Sequence, residues 1–159
     1  MDVEVGKSYH IKNDFFELVQ DLNLMTNKEN GNYRPHFFFI KDPAHEKIYW
    51  AIPQSSRVEK YKELIQRKKQ KHGKCNTIII GKFGGKENAF LIQNMFPVIE
   101  KYVAHEHLIN DRSILIHKKL SFEISSNALQ VLSMKQKGIN LIFPNVDKIY
   151  QIMIDELNS

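Results

Sequence analysis

Along the chain, stretches whose apolar residues alternate with polar ones are interleaved with stretches whose apolar residues recur every third or fourth position. Residues 8–12 read as a short strand, and over 14–22 Phe15, Leu18, Val19 and Leu22 fall on one helical face, with Asp14 and Glu17 as capping candidates. Asn27, Asn30, Gly31 and Asn32 mark 26–33 as a loop. Residues 34–40 and 47–52, rich in aromatic and β-branched side chains, predict a hairpin across Asp42-Pro43-Ala44-His45. A second hairpin is predicted from 77–83 and 88–95 around Gly84-Gly85, with Pro97 limiting its last strand.

Between the hairpins, 57–72 predicts a helix that carries apolar residues only at Val58, Tyr61, Leu64 and Ile65, with Gly73 just past its end. Its outer half, 66–72, has no apolar face, so it projects into solvent or lies along a charged partner. A long helix is predicted over 111–137, ended by Gly138, and a terminal helix after Pro144-Asn145 carries Val146, Ile149, Ile152, Met153 and Leu157. This order of elements predicts one α+β domain over 1–159, a small curved antiparallel sheet wrapped by helices.

Charge refines that picture. The chain carries a formal net charge of +5, and Lys60, Lys62, Arg67, Lys68, Lys69, Lys71 and Lys74 face only Glu59 and Glu63 within the central helix and its exit. Such a stripe favours a polyanion. No apolar run approaches the roughly 20 residues of a bilayer span, and the polar N-terminal segment lacks a signal-peptide core, so a cytoplasmic location without membrane contact is expected. Cys75 is the single cysteine. That excludes an intrachain disulfide and a multi-cysteine metal site.

The chemistry concentrates where the first hairpin runs into the basic helix. Ser55, Ser56 and Arg57 stand at that junction, where helix N-terminal amides and the helix dipole attract an anion. RNA is the natural ligand. Ser56 and Glu59 also fit a capping box, and the two readings are compatible. Arg57 is the candidate for neutralising a phosphate, since its planar fork pairs with phosphate oxygens, and Lys60 one turn later is the second. His36 is the candidate for moving a proton; otherwise it is a packed or surface strand residue between Pro35 and Phe37.

Other patterns carry less. Residues 81–86 lack the spacing of a phosphate loop and read as a hairpin turn, with Lys82 and Lys86 as possible backbone contacts. His105 and His107, two apart, would point to different faces of a helix, and no third ligand is spaced for zinc. Tyr33, Phe37 and Phe39 could stack bases or fill a core; Tyr33, next to Arg34 and a polar loop, is the one expected outside. No helix-turn-helix with a basic recognition helix is evident.

Tyr33-Arg34-Pro35-His36, the segment Pro53-Gln54-Ser55-Ser56-Arg57-Val58-Glu59-Lys60-Tyr61, Gly73-Lys74-Cys75, Phe90-Leu91-Ile92-Gln93-Asn94-Met95-Phe96-Pro97 and Asn140-Leu141-Ile142-Phe143-Pro144 together resemble the ToxN/AbiQ toxins of type III toxin-antitoxin systems, most of all the CptN branch. The resemblance runs across essentially the whole chain. It implies a compact antiparallel SH3-like barrel like that of MazF and Kid, elaborated by helices. It also implies an endoribonuclease that uses no metal or other cofactor and leaves 2',3'-cyclic phosphate and 5'-hydroxyl ends. Its partners would be target cellular RNA and a small structured antitoxin RNA, a pseudoknot repeat trimmed by the toxin from a longer precursor and held in a closed assembly of alternating protein and RNA. By position, Ser55 and Ser56 take the family's Thr-Ser or Ser-Ser step. His36 stands where ToxN has a lysine after proline, and Val58 where ToxN has a second lysine, so Arg57 or Lys60 becomes the cation. Tyr33, Arg34, Arg67, Lys68, Lys69, Lys71, Lys82, Lys86, Gln93 and Asn94 are the expected RNA contacts. A non-catalytic protein binding structured RNA is the alternative.

Overall fold

In the computed structural model, which describes residues 2–159, the chain runs β1 (Ser8–Ile11), α1 (Asn13–Val19), β2 (Lys28–Glu29), β3 (Asn32–Tyr33), β4 (His36–Lys41), β5 (Ile48–Ser55), α2 (Val58–His72), β6 (Ile78–Phe83), β7 (Lys86–Leu91), β8 (Phe96–Ile99), β9 (Val103–Glu106), β10 (Leu108–Ile109), β11 (Arg112–Ser113), α3 (Lys118–Gln136) and α4 (Val146–Leu157). The main sheet is antiparallel with strand order β6-β7-β5-β4-β1-β9, and β8 also pairs with β5. No ladder joins β6 to β9, so among the described residues the sheet stays open and the closed barrel expected from the resemblance is not found. None of the described helices is long and apolar enough to cross a membrane.

β5 organises everything around it. All of its residues are buried, which its unbroken apolar character over Ile48–Ile52 anticipates. Along one edge its first half pairs with β8 (Ala51 opposite Phe96) and its last residues pair with β7 (Gln54 opposite Phe90, Ser55 opposite Ala89). Pro53, which has no amide hydrogen to donate, falls between the two sets of pairings.

Apolar side chains alternate across β4, so Phe38 enters one core and Phe37 and Phe39 another. The Phe38 core is closed by Phe15 of α1 and by Ile149 and Met153 of α4, the Phe37 core by Ile124, Ala128 and Val131 of α3. Fully buried Phe15, Phe37, Phe38 and Phe90 each contribute about 1.5–3 kcal/mol by burial. A third, smaller cluster seats α2 through Tyr61 against Ile78, Ala89 and Leu91. That contact anchors only the first half of α2.

Three predicted elements differ, and each for a local reason. Residues 26–33 form the β2–β3 hairpin because Asn30 and Gly31 both adopt positive φ, 53° and 81°, the geometry of the tight turn that Asn-Gly favours. The long helix begins only at Lys118, capped by the His117 ring, which accepts from the Lys119 amide. Upstream, Asn110 and Asp111 turn at φ 52° and 63° and fold 108–113 into a hairpin instead. In α1, the helix stops at Val19 with Gln20 in the left-handed region, and Lys12 at its start makes no side-chain cap.

Candidate nucleic-acid cleft

At the end of β5 the backbone leaves the sheet and enters α2, and Ser55 and Ser56 stand at this bend. The Glu29 carboxylate, brought alongside by the β2–β3 hairpin, gathers their donors. Ser55 Oγ donates to Glu29 Oε2 at 2.6 Å, while the Ser56 amide and Ser56 Oγ donate to Oε1 at 2.7 and 2.6 Å. Arg34 Nη1 lies 3.1 Å from Oε2. The expected capping box is therefore not formed: Arg57 is the N-cap, it makes no side-chain cap, and Ser56 spends its hydroxyl on Glu29. Burial alone would raise the Glu29 pKa; the bonds from Ser55 and Ser56 and the charge of Arg34 outweigh it and bring the pKa down to about 2. Four donors thus converge on one anion at the junction selected from the sequence.

Arg34 is 3% exposed and serves this arrangement from behind. Its Nε donates to the Thr26 carbonyl at 2.9 Å and its Nη1 to the Gln54 carbonyl at 2.8 Å, tying the hairpin to β5. Gln54 in turn accepts from Ser8 Oγ and donates to Asn88 Oδ1 at 3.4 Å. The expectation that Arg34 contacts RNA does not fit this burial; its guanidinium is enclosed by protein acceptors.

In front of the junction opens a cleft of about 460 Å³, lined by Glu29, Tyr33, Ser56, Lys86, Asn88 and His107 among others. Tyr33, half-exposed, also borders a second hollow of about 310 Å³ with His10, Lys12, Asp14 and His105. The geometry brings Ser56, Tyr33 and Lys86 to one opening. Arg57, next to Ser56 in sequence, is exposed but is not among the residues that line the cleft, and its guanidinium makes no hydrogen bond or ion pair; exposed Lys60 lies 5.4 Å over the Tyr61 ring.

Several expected site residues are elsewhere. His36 is completely buried, its ring against Phe96 and Phe16 at 5.4 and 6.3 Å between centroids. Its nitrogens, beside backbone of Arg34 and Tyr9, make no hydrogen bond of good geometry. Burial, reinforced by the Arg34 charge, pushes its pKa down to about 3. The core claims it because it sits on a strand paired on both sides, opposite Tyr9 and Pro53, on a face that Phe16 and Phe96 cover. Gln93 and Asn94 are likewise buried. Lys68 folds inward to Gln93 Oε1 at 2.7 Å and Thr77 Oγ1 at 3.0 Å, and burial lowers its pKa. Arg67, Lys69, Lys71, Lys82 and Lys86 remain exposed.

Glu29 and His10 are not among the residues that the sequence singles out, and His107 enters there only as a zinc ligand that lacks a third partner. For Glu29 the Asn30-Gly31 turn was the available signal. For the histidines it is the strand period: His105 on β9 and His107 just past it share a face, and the register sets His10 of β1 opposite His105. His10 Nε2 and His107 Nδ1 are 2.6 Å apart. Burial and then the neighbouring imidazoles, His107 foremost, push the His10 pKa down to about 4, and burial followed by His105 lowers that of His107. Among the described residues, no group of three or more His, Cys, Asp or Glu side chains is arranged to hold a metal ion.

No family model and no curated protein matches the chain by sequence. Solved structures do match it in three dimensions. One is AbiQ, a lactococcal anti-phage endoribonuclease belonging to the type III toxin-antitoxin system. It is 11% identical, with a TM-score of 0.75, over 98% of this chain and 100% of AbiQ. Another comes from work on a processed non-coding RNA that regulates a bacterial antiviral system. It is 12% identical, with a TM-score of 0.68, over 94% of this chain and 98% of that one. The chain has the AbiQ fold, a mixed arrangement of helices around antiparallel sheet.

Proposed function

We propose that this chain is a single-domain endoribonuclease toxin of the ToxN/AbiQ kind, nearest the CptN branch, that is restrained by RNA. The observation that carries the reading is the convergence of donors from Ser55, Ser56 and Arg34 on one carboxylate at the wall of an open cleft. Glu29 marks the seat of a phosphate group: its two oxygens occupy the positions that two non-bridging oxygens of a phosphodiester would take, with Ser56 as the exposed, exchangeable half. Lys86, exposed at the opening, and exposed Arg57, the residue after Ser56, supply the cations that offset the charge of the incoming backbone.

In the reaction, the 2'-oxygen forms a bond to phosphorus as its proton leaves, the bond to the 5'-oxygen breaks, and that oxygen is protonated. Once the incoming phosphate displaces the Glu29 carboxylate, the donors it held stabilise the charge that grows on the phosphorane oxygens. The same cleft trims the repeat precursor of a small structured antitoxin RNA. The processed RNA then stays bound along Arg67, Lys69 and Lys71 of α2, in a closed assembly of alternating protein and RNA.

Incubating the protein with RNA in excess chelator tests this. Products ending in 2',3'-cyclic phosphate or 3'-phosphate with 5'-hydroxyls are expected; intact RNA, or cleavage only after magnesium is added, refutes it. One observation favours a non-catalytic RNA binder instead: the protein's own carboxylate already fills the anion seat. Such a binder would retain its RNA but leave it uncut in the same assay.

A further inference from the structure

The proposed reaction needs a group that accepts the proton of the 2'-hydroxyl, and His36, sealed between phenylalanines, has no path to a polymer. The wall of the cleft opposite Ser56 does offer one. His107 lines the same cleft as Ser56, Glu29 and Tyr33, beside Phe83, whose ring lies 5.7 Å from it. The rings of His10 and His107 meet edge to edge with centroids 4.9 Å apart and 27° between their planes, and the 2.6 Å contact joins His10 Nε2 to His107 Nδ1. Backbone fixes the pair as well, since the His107 amide donates to the Ser8 carbonyl at 2.8 Å.

We propose, resting on the endoribonuclease reading, that His107 is the catalytic base of this cleft and that His10 is a positioning residue that sets its tautomer. A nitrogen pair at this separation needs one proton between them. When His107 Nδ1–H donates to His10 Nε2, His107 Nε2 keeps its lone pair, makes no hydrogen bond within the chain and is free for the cleft. This is the logic by which a third group orients a base, here with an imidazole in the orienting place. Their lowered proton affinity keeps both rings neutral near pH 7, the state a base requires.

The step balances with solvent alone. The 2'-hydroxyl proton passes to His107 Nε2, and the oxygen's electron pair forms the bond to phosphorus. The bond from phosphorus to the 5'-oxygen breaks with its pair on oxygen, which takes a proton from water. The hydroxide left behind is neutralised by the imidazolium proton, so His107 returns to its neutral form. The charged and titratable groups around the pair are His105 on β9, Tyr33 on β3, Lys12 and Asp14 at the start of α1, and Glu29, Arg34 and Lys86 across the cleft. Of these, the ring of His105 is the nearest to His10, at 4.6 Å between centroids.

The test is the pH dependence of single-turnover RNA cleavage in chelator for the wild-type protein, His107→Gln and His10→Gln. Wild-type rates should rise with pH along a limb centred below 6.5 and then level off. His107→Gln should lose that limb and about 10²- to 10⁴-fold in rate, with RNA affinity kept. His10→Gln should lose less and displace the limb. If wild type cleaves and His107→Gln keeps both rate and limb, this inference falls while the function stands; if wild type does not cleave, both fall. Should the variants fail to fold, ring-nitrogen NMR of the wild-type protein decides. A proton on His107 Nδ1 is expected, and a proton on Nε2 with Nδ1 bare overturns the assignment.

Discussion

The two walls of the cleft differ in how they treat charge. On the serine wall, an ion pair of Glu29 and Arg34, 10% and 2% exposed, is enclosed by hydrogen bonds, and every donor has a fixed acceptor. On the histidine wall, the partly exposed rings of His10, His105 and His107 lie against one another, and only one nitrogen pair is bonded between them. The first wall is built to hold charge in a set place; the second holds imidazoles that rest neutral and can take up a proton. A phosphodiester isomerisation needs both, because the phosphorane must be met by immobile dipoles while a proton has to move.

Removing the buried cation should show the contrast most strongly. Arg34→Ala strands the Glu29 carboxylate and the Thr26 and Gln54 carbonyls, and should lower unfolding stability by about 3–5 kcal/mol, whereas exposed Arg57→Ala should stay within about 0.5 kcal/mol. Denaturant melts compare them; equal losses would mean that the serine wall is not the rigid one.

Next comes Ser56→Ala, which removes an exposed donor from the phosphate seat. Cleavage should fall by about 10²- to 10³-fold while stability drops by about 1 kcal/mol. An unchanged rate with weakened RNA binding would move the serine wall from chemistry to anchorage.

Acid should reach the walls in a fixed order. His36 and His10 have folded pKa values of about 3 and 4, below the ordinary 6.5, so the unfolded chain binds their protons first. Their contribution is complete above pH 6.5 and is lost as pH falls below it, for buried His36 by at most about 1.4 kcal/mol per pH unit. Glu29, depressed to about 2 from 4.5, contributes fully above pH 4.5 and loses its share only below that. His36→Phe should therefore flatten the stability profile between pH 6.5 and 4.5; a profile unchanged in that window would refute the assignment.

The smallest effects should lie on α2. Arg67→Gln, Lys69→Gln and Lys71→Gln should each lower the slope of log affinity for RNA against log salt by about 0.7–0.9. Lys68→Gln should leave the slope unchanged, because its ammonium is already held by Gln93 and Thr77. A slope that drops equally at Lys68 would show that it swings out to the RNA.

Local pattern in the chain was enough for the two large hairpins, the basic helix with its anchored first half and the terminal helix, because each depends on side-chain period, turn residues and caps within a few positions. It also singled out Ser55 and Ser56, whose place at a strand-to-helix bend is a local property. The tight turns at Asn30-Gly31 and Asn110-Asp111 are equally local, yet the pattern marks the first only as a loop and places the second at the start of a helix, so the hairpin that carries Glu29 is not legible from it. What only the tertiary structure decided was which polar residues the core would claim. His36 and Arg34 are as polar as any surface residue, but Phe16 and Phe96 close over the His36 ring, and Thr26, Glu29 and Gln54 enclose the Arg34 guanidinium. Folding alone likewise brought His10 to His107 across 97 positions, because sheet register is a pairing between distant segments and leaves no trace in either one read singly.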